Sequence, residues 1–405
     1  MCWIRFTQEI YTLEIKYGEK MTTAQKLILQ LIRYEITGTP LDAEFQNGIS
    51  DDVLSSVYEI SVDQSVSVIV GSALFKLGVL TDELKQAFFN EQLVGIYNVE
   101  QINHELDNIV SLFEKEKIPF ILLKGSVLRS FYPKPEMRES CDIDILIHKE
   151  DLERACKSLE SEYGYEKRTG CSHDVGLFSK SGVELELHFL LYESYNEKKE
   201  LLDNVWDYAS PCADGKYEHK LTPEFFTVYH LIHMYKHVVT GGCGVKPLMD
   251  LKIIEDNFDL DFGKLDKLIE NAGITQFSKR VFDLMHFWFG RGANDEYLEL
   301  FADYIFTSGT YGTFENQVAV SLSQNGNKFK NLMERVFMPY NKLRVIYPVL
   351  NDKPYLMPWY EIKRWHRIIF KDKMEHQLVI MKHNANIDLE KQDKTKKLME
   401  NLGIK

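Results

Sequence analysis

One short segment constrains the fold more than any other, because it alternates acidic and apolar side chains: Cys141-Asp142-Ile143-Asp144-Ile145-Leu146-Ile147. Successive side chains of a β-strand point to opposite faces, so Asp142 and Asp144 share one face and the isoleucines share the other. Two like charges on one face of an apolar strand are costly unless something neutralises them. Divalent cations prefer oxygen ligands, so the pair predicts a metal site.

A glycine turn precedes this strand. The apolar run Ile118–Leu123 predicts a short buried strand, Lys124-Gly125-Ser126 follows it, and Val127–Phe131 has the pattern of a helix start. A strand, a glycine turn and a helix N-terminus together present backbone N–H groups to an anion, and Ser126 adds a hydroxyl. An isolated Asp-x-Asp is more often the solvated edge of a strand. The turn upstream favours a phosphate and metal site instead.

A predicted β-hairpin lies downstream, with strands at 174–179 and 183–189 around the turn Lys180-Ser181-Gly182. On its second strand Glu184, Glu186 and His188 share a face. If that strand pairs beside Asp142 and Asp144, a third carboxylate joins the first two. Glu186 is preferred because it is mid-strand and beside His188, and Glu184 stays an alternative.

These elements resemble the nucleotidyltransferase superfamily typified by DNA polymerase β and, more narrowly, a family of uncharacterised bacterial nucleotidyltransferases. The resemblance runs from about Phe120 to His366 and is specific over Leu122–His188. The interval from Gly125 to Asp142 is long for the superfamily and fits the narrower family better. The matching residues are Leu122-Leu123-Lys124-Gly125, Tyr132-Pro133-Lys134-Pro135, Arg138, Asp142 to Ile147 and Glu186-Leu187-His188, with looser matches at His233, His237 and Asp250.

The resemblance implies a two-metal transfer of a nucleotidyl group with Mg²⁺, or with Mn²⁺ in its place. Asp142 and Asp144 would bridge both ions, and Glu186 would complete the ion that activates the acceptor hydroxyl. The implied nucleotide contacts are Lys124, Gly125, Ser126, Arg138 and His188. Arg138 is the preferred triphosphate contact because guanidinium binds phosphate bidentately, whereas Arg129 is interpreted as part of a solvated helix face. Asp144→Asn should remove transfer without loss of stability, since it relieves like-charge repulsion.

The order of elements predicts an α+β fold: a polymerase-β-like nucleotidyltransferase core, with helices on one face of a mixed sheet, flanked by N- and C-terminal helical regions. A chain of 405 residues suggests two or three domains. We expect an N-terminal helical region at 1–115, the core at 116–200 and a mainly helical region at 201–405.

Three histidines in the predicted helix 223–239 share one face, because His230, His233 and His237 are three and four residues apart. They could form a zinc site or a polar wall of the nucleotide cleft. The second interpretation is preferred, since no matching ligand pair follows. Lys246 and Asp250 come next and are candidates for nucleotide or acceptor binding, with helix capping and ion pairing as the equal alternative.

The composition of the chain limits which substrates and partners are expected for it. A formal charge of −13 argues against nucleic acid as the acceptor, leaving an NTP, with ATP expected, and a small hydroxylated molecule or a protein side chain. No apolar run reaches the length of a membrane span, and the charged first twenty residues do not form a secretory signal. Six cysteines without a Cys-x-x-Cys pair indicate reduced thiols and a cytoplasmic location.

Three other functions stay open on the sequence. The fold could serve a non-catalytic nucleotide-binding or regulatory protein, although three clustered carboxylates argue against a simple binder. The chain could be a protein AMP-adding, toxin-like component. A metal hydrolase built on the three histidines would require a tightly bound transition metal.

Overall fold

A computed structural model describes residues 21–46, 48–170, 173–191, 199–290, 292–310, 312–325, 328–370 and 387–404. The interpretation of the first twenty residues, and the predictions about Cys2 and Cys171, lie outside the described residues. Among these ranges no helix combines the length and the apolar composition that crossing a bilayer requires.

The N-terminal region is helical, as predicted: α1 Thr23–Thr37, α2 Ala43–Gln46, α3 Asp51–Asp63, α4 Ser67–Leu77 and α5 Asp82–Glu116. The ends follow local sequence signals. The Thr22 side chain forms a capping box with Gln25, and Gly38 ends α1 in the left-handed conformation. The Thr81 hydroxyl accepts a hydrogen bond from the N–H of Leu84 at the start of the 35-residue helix α5.

Within the described residues, seven strands form one mixed sheet, with short helices between them. The strands are β1 Phe120–Leu122, β2 Asp142–Ile147, β3 Glu166–Gly170, β4 Asp174–Phe178, β5 Glu184–His188, β6 Ala209–Pro211 and β7 Glu218–Leu221. The connecting helices are α6 Gly125–Leu128, α7 Leu152–Tyr163 and α8 Lys199–Asp203. The strand order is β3-β4-β5-β2-β1-β7-β6.

The hairpin prediction is confirmed, since β4 and β5 pair antiparallel and β5 then lies parallel to β2. The sheet continues past residue 200, because β7 pairs with β1 in parallel and β6 pairs with β7. The expected core of 116–200 is therefore too short to contain the whole sheet. The division into three regions otherwise stays a prediction.

Apolar side chains project from both faces of the sheet. Ile143, Ile145 and Ile147 pack in a core with residues of α5 and α7. On the other face, Ile121 and Leu146 join a larger core that contains residues of the N- and C-terminal helices. The prediction of helices on one face was thus incomplete, because β1 and β2 are central strands and are buried on both sides.

The C-terminal part is a helical region, as predicted: α9 Pro223–Thr240, α10 Lys246–Asn257, α11 Phe262–Asn271, α12 Thr275–Phe289, α13 Glu296–Ser308, α14 Phe314–Asn325, α15 Lys328–Val336, α16 Tyr340–Ile346, α17 Met357–Phe370 and α18 Leu389–Asn401. Helix α12 packs against α1, so the N- and C-terminal helices share one core. Helix α9 lies close to the acidic face of the sheet, which places its polar side chains beside the carboxylates.

Candidate active site

The register of β2 against β5 brings the predicted carboxylates together. Asp142 pairs with Glu184, Asp144 with Glu186, and Leu146 with His188. The alternation puts the acidic side chains on one face, since Ile143, Ile145, Leu185 and Leu187 lie in the core behind them. Each strand contributes a carboxylate at the same level of the sheet, so the acidic face is a product of parallel pairing between two alternating strands.

A compact donor group forms at the middle of this face. Among the residues that the structure describes, one ligand atom each of Asp144, Glu186 and His188 lie within 4.8 Å of one another. Two carboxylates and an imidazole fit a divalent cation, because carboxylates suit Mg²⁺ and Mn²⁺ and imidazole extends the choice towards transition metals. Glu186 belongs to this group and Glu184 does not, and the role of Glu186 as the third metal ligand stays a prediction. Asp142 lies one strand repeat away from Asp144 on the same face.

Two side chains of the chain itself stabilise the Asp144 carboxylate. The Lys124 ammonium lies 2.7 Å from Asp144 Oδ1, and His188 Nε2 lies 3.0 Å from the same atom and 3.4 Å from Glu186 Oε2. Burial would raise the pKa of Asp144, but Lys124 and His188 hold it well below its usual range. The acidic strand is therefore tolerable in the folded chain without a metal, a solution that the sequence did not reveal.

The turn after β1 directs Lys124 to this position. The Leu123 N–H donates to the Asp144 carbonyl at 3.1 Å, which fixes the end of β1 beside β2. Lys124 then adopts a φ of +41° and precedes the one-turn helix α6. A left-handed lysine costs about 1–3 kcal/mol and is retained where surrounding contacts stabilise it, commonly at ligand sites. Here the buried pair with Asp144 is such a contact.

The glycine turn gathers further polar groups that lack partners. The Ser126 hydroxyl is buried and has no hydrogen-bond partner among the described residues. Arg129 is only 4% exposed, donates from Nη2 to Ser140 Oγ at 2.7 Å, and has no described partner for Nε. Burial and the neighbouring Arg138 lower the pKa of Arg129 to about 10. Buried donors beside a helix N-terminus suit an anionic ligand.

The interpretation of Arg129 as part of a solvated helix face was therefore wrong. Arg129 follows Ser126 by three residues, and positions three apart in a helical segment lie on the same side. That spacing was the available signal, since it places a second cationic donor beside the predicted phosphate turn.

The preferred triphosphate contact, Arg138, is engaged elsewhere. Its Nε and Nη2 each donate to Asp250 at 2.8 Å, and the Tyr132 hydroxyl donates to the same carboxylate at 2.7 Å. Asp250 thus acts as the counter-ion of Arg138, the ion-pairing alternative of the sequence analysis. Lys246 is half-buried and donates from Nζ to the Glu139 carbonyl at 2.8 Å. Lys246 and Asp250 therefore contact residues that flank the glycine turn, and their roles as nucleotide or acceptor contacts stay predictions.

Gly125 has no room for a side chain. A Cβ atom there would overlap Nη1 of Arg138, whose guanidinium cannot move away without breaking its pair with Asp250. We expect Gly125→Ala to destabilise the protein by about 1–3 kcal/mol, the usual effect of overpacking, and to weaken nucleotide binding. Urea unfolding measures the loss. Gly263→Ala on the exposed start of α11 is the control, and equal stability of the two variants would contradict the expectation.

Helix α9 forms the wall opposite the carboxylates. Tyr229, which the sequence analysis missed although it precedes His233 by one helical turn, is buried near Lys124 and Asp144, and burial raises its pKa to about 12. His233 and His237 interact through their Nε2 atoms at 3.0 Å. His230 instead contacts the Pro247 carbonyl at 2.8 Å. The three histidines therefore do not converge, and the polar-wall interpretation fits better than zinc.

The stability of the protein in acid should depend on His237. Burial and the Lys124 charge lower its pKa from 6.5 to about 4. Between these values the unfolded state binds the extra proton, so the free energy of unfolding falls as the pH is lowered through this window. His233, whose pKa is also lowered, acts in the same direction. We expect His237→Gln to reduce the slope by about 1 kcal/mol per pH unit.

Urea titrations between about pH 4 and 7 measure these slopes. His104→Gln, at an exposed position of α5, is the matched control and should retain the wild-type slope. A wild-type slope in His237→Gln would show that this imidazole is not held neutral by its surroundings.

Residues 54–290 match a family described as uncharacterised nucleotidyltransferase. No curated protein and no solved structure gives a significant match to the chain. The matched region is more than half of the 405 residues and contains the glycine turn Lys124-Gly125-Ser126, the acidic strands and helix α9. The chain therefore belongs to this family of uncharacterised nucleotidyltransferases, and nucleotidyl transfer is the activity class that the match supports.

Proposed function

We propose that this protein transfers a nucleoside monophosphate from an NTP to a hydroxyl group of its acceptor, on a polymerase-β-like core. One observation carries the proposal: the parallel register pairs Asp144 with Glu186 and Asp142 with Glu184, on strands next to the end of β1, where the glycine turn begins. A metal-binding carboxylate face next to an anion-binding turn is the minimum that nucleotidyl transfer requires. Asp142, Asp144 and Glu186 are the proposed catalytic residues.

The carboxylates would hold the metal, proposed as two Mg²⁺ ions with Mn²⁺ as a substitute. Bound there, the ions would supply charge neutralisation for the α-phosphate and lower the pKa of the acceptor hydroxyl. The chain itself positions the reactants. Glu186 faces the open side and is 36% exposed at its side chain, so the acceptor can approach it, whereas Asp144 is 3% exposed and lies beneath.

The triphosphate would bind at the N-terminus of α6. Lys124, the Ser126 hydroxyl and Arg129 supply donors, and the Gly125 backbone allows close approach. Arg138 has its Nε and Nη2 occupied by Asp250, so it supports the turn and offers at most its remaining nitrogen. His188 holds Asp144 and Glu186 in place. His233 and His237, with Tyr229, would line the side where the acceptor enters.

We propose ATP as the donor and a small hydroxylated molecule or a protein side chain as the acceptor. The formal charge of −13 does not favour a polyanionic acceptor such as nucleic acid. The described cysteines Cys141, Cys156, Cys212 and Cys243 form no disulfide with one another, which fits a reaction in the reducing cytoplasm.

The deciding experiment incubates the protein with each α-³²P-labelled NTP and Mg²⁺, with and without cell extract, and separates labelled protein from labelled small molecules. We expect label in one fraction that is absent with Asp142→Ala. Label on a protein band identifies a protein-modifying enzyme, and label on a small molecule identifies a metabolite or drug modifier. Nucleotide binding without any transfer would overturn the proposal in favour of a non-catalytic binder on the same fold.

A further inference from the structure

We propose that Lys124 is an internal counter-ion: its ammonium group takes the place of the metal's positive charge beside Asp144 and excludes free divalent cations until a nucleotide binds. The inference rests on the proposed function and assigns Lys124 a second role in it, as a positioning residue. It makes metal and nucleotide binding cooperative rather than independent.

The ammonium group of Lys124 lies against one of the proposed metal ligands. Lys124 Nζ lies 2.7 Å from Asp144 Oδ1, and Asp144 belongs to the donor group with Glu186 and His188. A metal ion bound to the same oxygen would lie about 2.0–2.2 Å from it. The ammonium and a doubly charged ion would then be neighbours in a buried site, where like charges repel far more strongly than in water. Lys124 must leave before the cation binds well.

The pair of Lys124 and Asp144 is largely shielded from solvent. The Lys124 side chain is 18% exposed and that of Asp144 is 3% exposed. Asp142 and Glu186 also lie close enough to favour the charged ammonium. Asp144 therefore satisfies its charge within the chain, and a free cation gains little by competing for it. An open acidic cluster would have no such competitor.

A bound triphosphate would be an alternative partner for Lys124. The residue immediately precedes α6, whose turn carries the unpartnered Ser126 hydroxyl and leads to the buried Arg129. A triphosphate at this turn would offer the ammonium a phosphate oxygen in exchange for Asp144. Nucleotide binding would thus free the carboxylate that the metal needs.

The consequence is a coupling between two ligands, and such coupling is reciprocal. Free Mg²⁺ or Mn²⁺ should bind weakly, and the metal site should form fully only with nucleotide present. An enzyme of this kind avoids holding a metal with an unoccupied phosphate site.

The test measures Mn²⁺ binding to the full chain without nucleotide, by the electron paramagnetic resonance signal of free Mn²⁺. We expect Lys124→Met to bind Mn²⁺ at least ten-fold more tightly than the wild type, and Lys124→Arg, which keeps the charge, to bind as weakly as the wild type. Lys115→Met removes a lysine from the exposed pair with Glu162 and is the control for net charge. Wild-type affinity in Lys124→Met would overturn the proposal.

A second measurement covers the case in which Lys124→Met does not fold. The melting temperature of the wild type is followed with Mn²⁺ alone, with α,β-methylene ATP alone, and with both. We expect no rise with Mn²⁺ alone and a rise with both that exceeds the effect of the analogue alone. A rise with micromolar Mn²⁺ alone would also overturn the proposal.

The two hypotheses can fail separately. If the wild type transfers label from an NTP but Lys124→Met gains no Mn²⁺ affinity, only the role of Lys124 is wrong. If Lys124→Met gains affinity and Asp144→Asn in that background removes it, the metal site stands whatever the acceptor. Absence of transfer with every NTP would then count against the proposed function alone.

Discussion

Asp144→Asn is expected to reduce nucleotidyl transfer by about 10³-fold or more, because in the proposed mechanism this buried carboxylate binds the metal beside the reacting phosphate, a role that a neutral amide cannot fill. The same change should lower the free energy of unfolding. Asp144 is the partner of buried Lys124, and removing one member of a buried pair costs about 3–5 kcal/mol. We expect about 3 kcal/mol, since Glu186 and Asp142 stay near the ammonium.

This result would reverse the expectation drawn from the sequence, in which Asp144→Asn relieved repulsion at no cost in stability. The pKa shift gives the sign: the pKa of Asp144 is depressed in the fold, so its charge stabilises the protein above about pH 4, the unfolded value, and the contribution is lost as the pH falls through the folded value.

Transfer of label and urea unfolding provide the two readouts. Glu184→Gln is the matched control, two residues from Glu186 on the same face of β5 and outside the donor group. Burial and the charges of Glu186 and Asp142 raise the pKa of Glu184, so the amide should not destabilise the sheet. Loss of transfer in Glu184→Gln with normal transfer in Glu186→Gln would exchange their roles.

Asp250→Ala should produce the largest loss of stability, about 3–5 kcal/mol. It leaves the Arg138 guanidinium, 7% exposed at its side chain, without its counter-ion and removes the acceptor of the Tyr132 hydroxyl. Burial disfavours both charges, yet their pairing raises the pKa of Arg138 and lowers that of Asp250. Each charge is therefore maintained by the other.

Urea unfolding of a double-mutant cycle separates the pair from its surroundings. Arg138→Met/Asp250→Leu removes both charges and should be more stable than Asp250→Ala, since no unpaired charge stays buried. If the double variant is the less stable one, the packing of α10 against the turn, and not the charge pair, determines the loss.

Local periodicity and capping determined much of the fold. The two-residue repeat of β2 and β5 assigned Ile143 and Leu185 to the core and Asp144 and Glu186 to the opposite face, and the structure agrees. Glycine and threonine marked the ends of α1 and the start of α5. These signals act within a few residues, where backbone geometry leaves few alternatives.

Contacts between residues that are far apart in the sequence could not be predicted from such local signals. The pairing of β7 with β1 joins residues about a hundred positions apart and extends the sheet beyond the expected boundary. Arg138 showed a guanidinium suited to phosphate, but Asp250 is 112 positions further along the chain and occupies it. Arg129 appeared solvated because burial depends on which elements pack over a residue.

The sequence by itself determined which residue types are present for the chemistry and which face of each strand carries them. Only the tertiary structure decided how their charges are balanced. Lys124, Asp144 and His188 form one buried group because β1, β2 and β5 are neighbours in the sheet. Local backbone geometry determines to which face of a strand each side chain points. The order of the strands determines the distances between side chains on different strands, and tertiary packing determines how far water is excluded from them. The energy of a buried charge depends on both of these quantities.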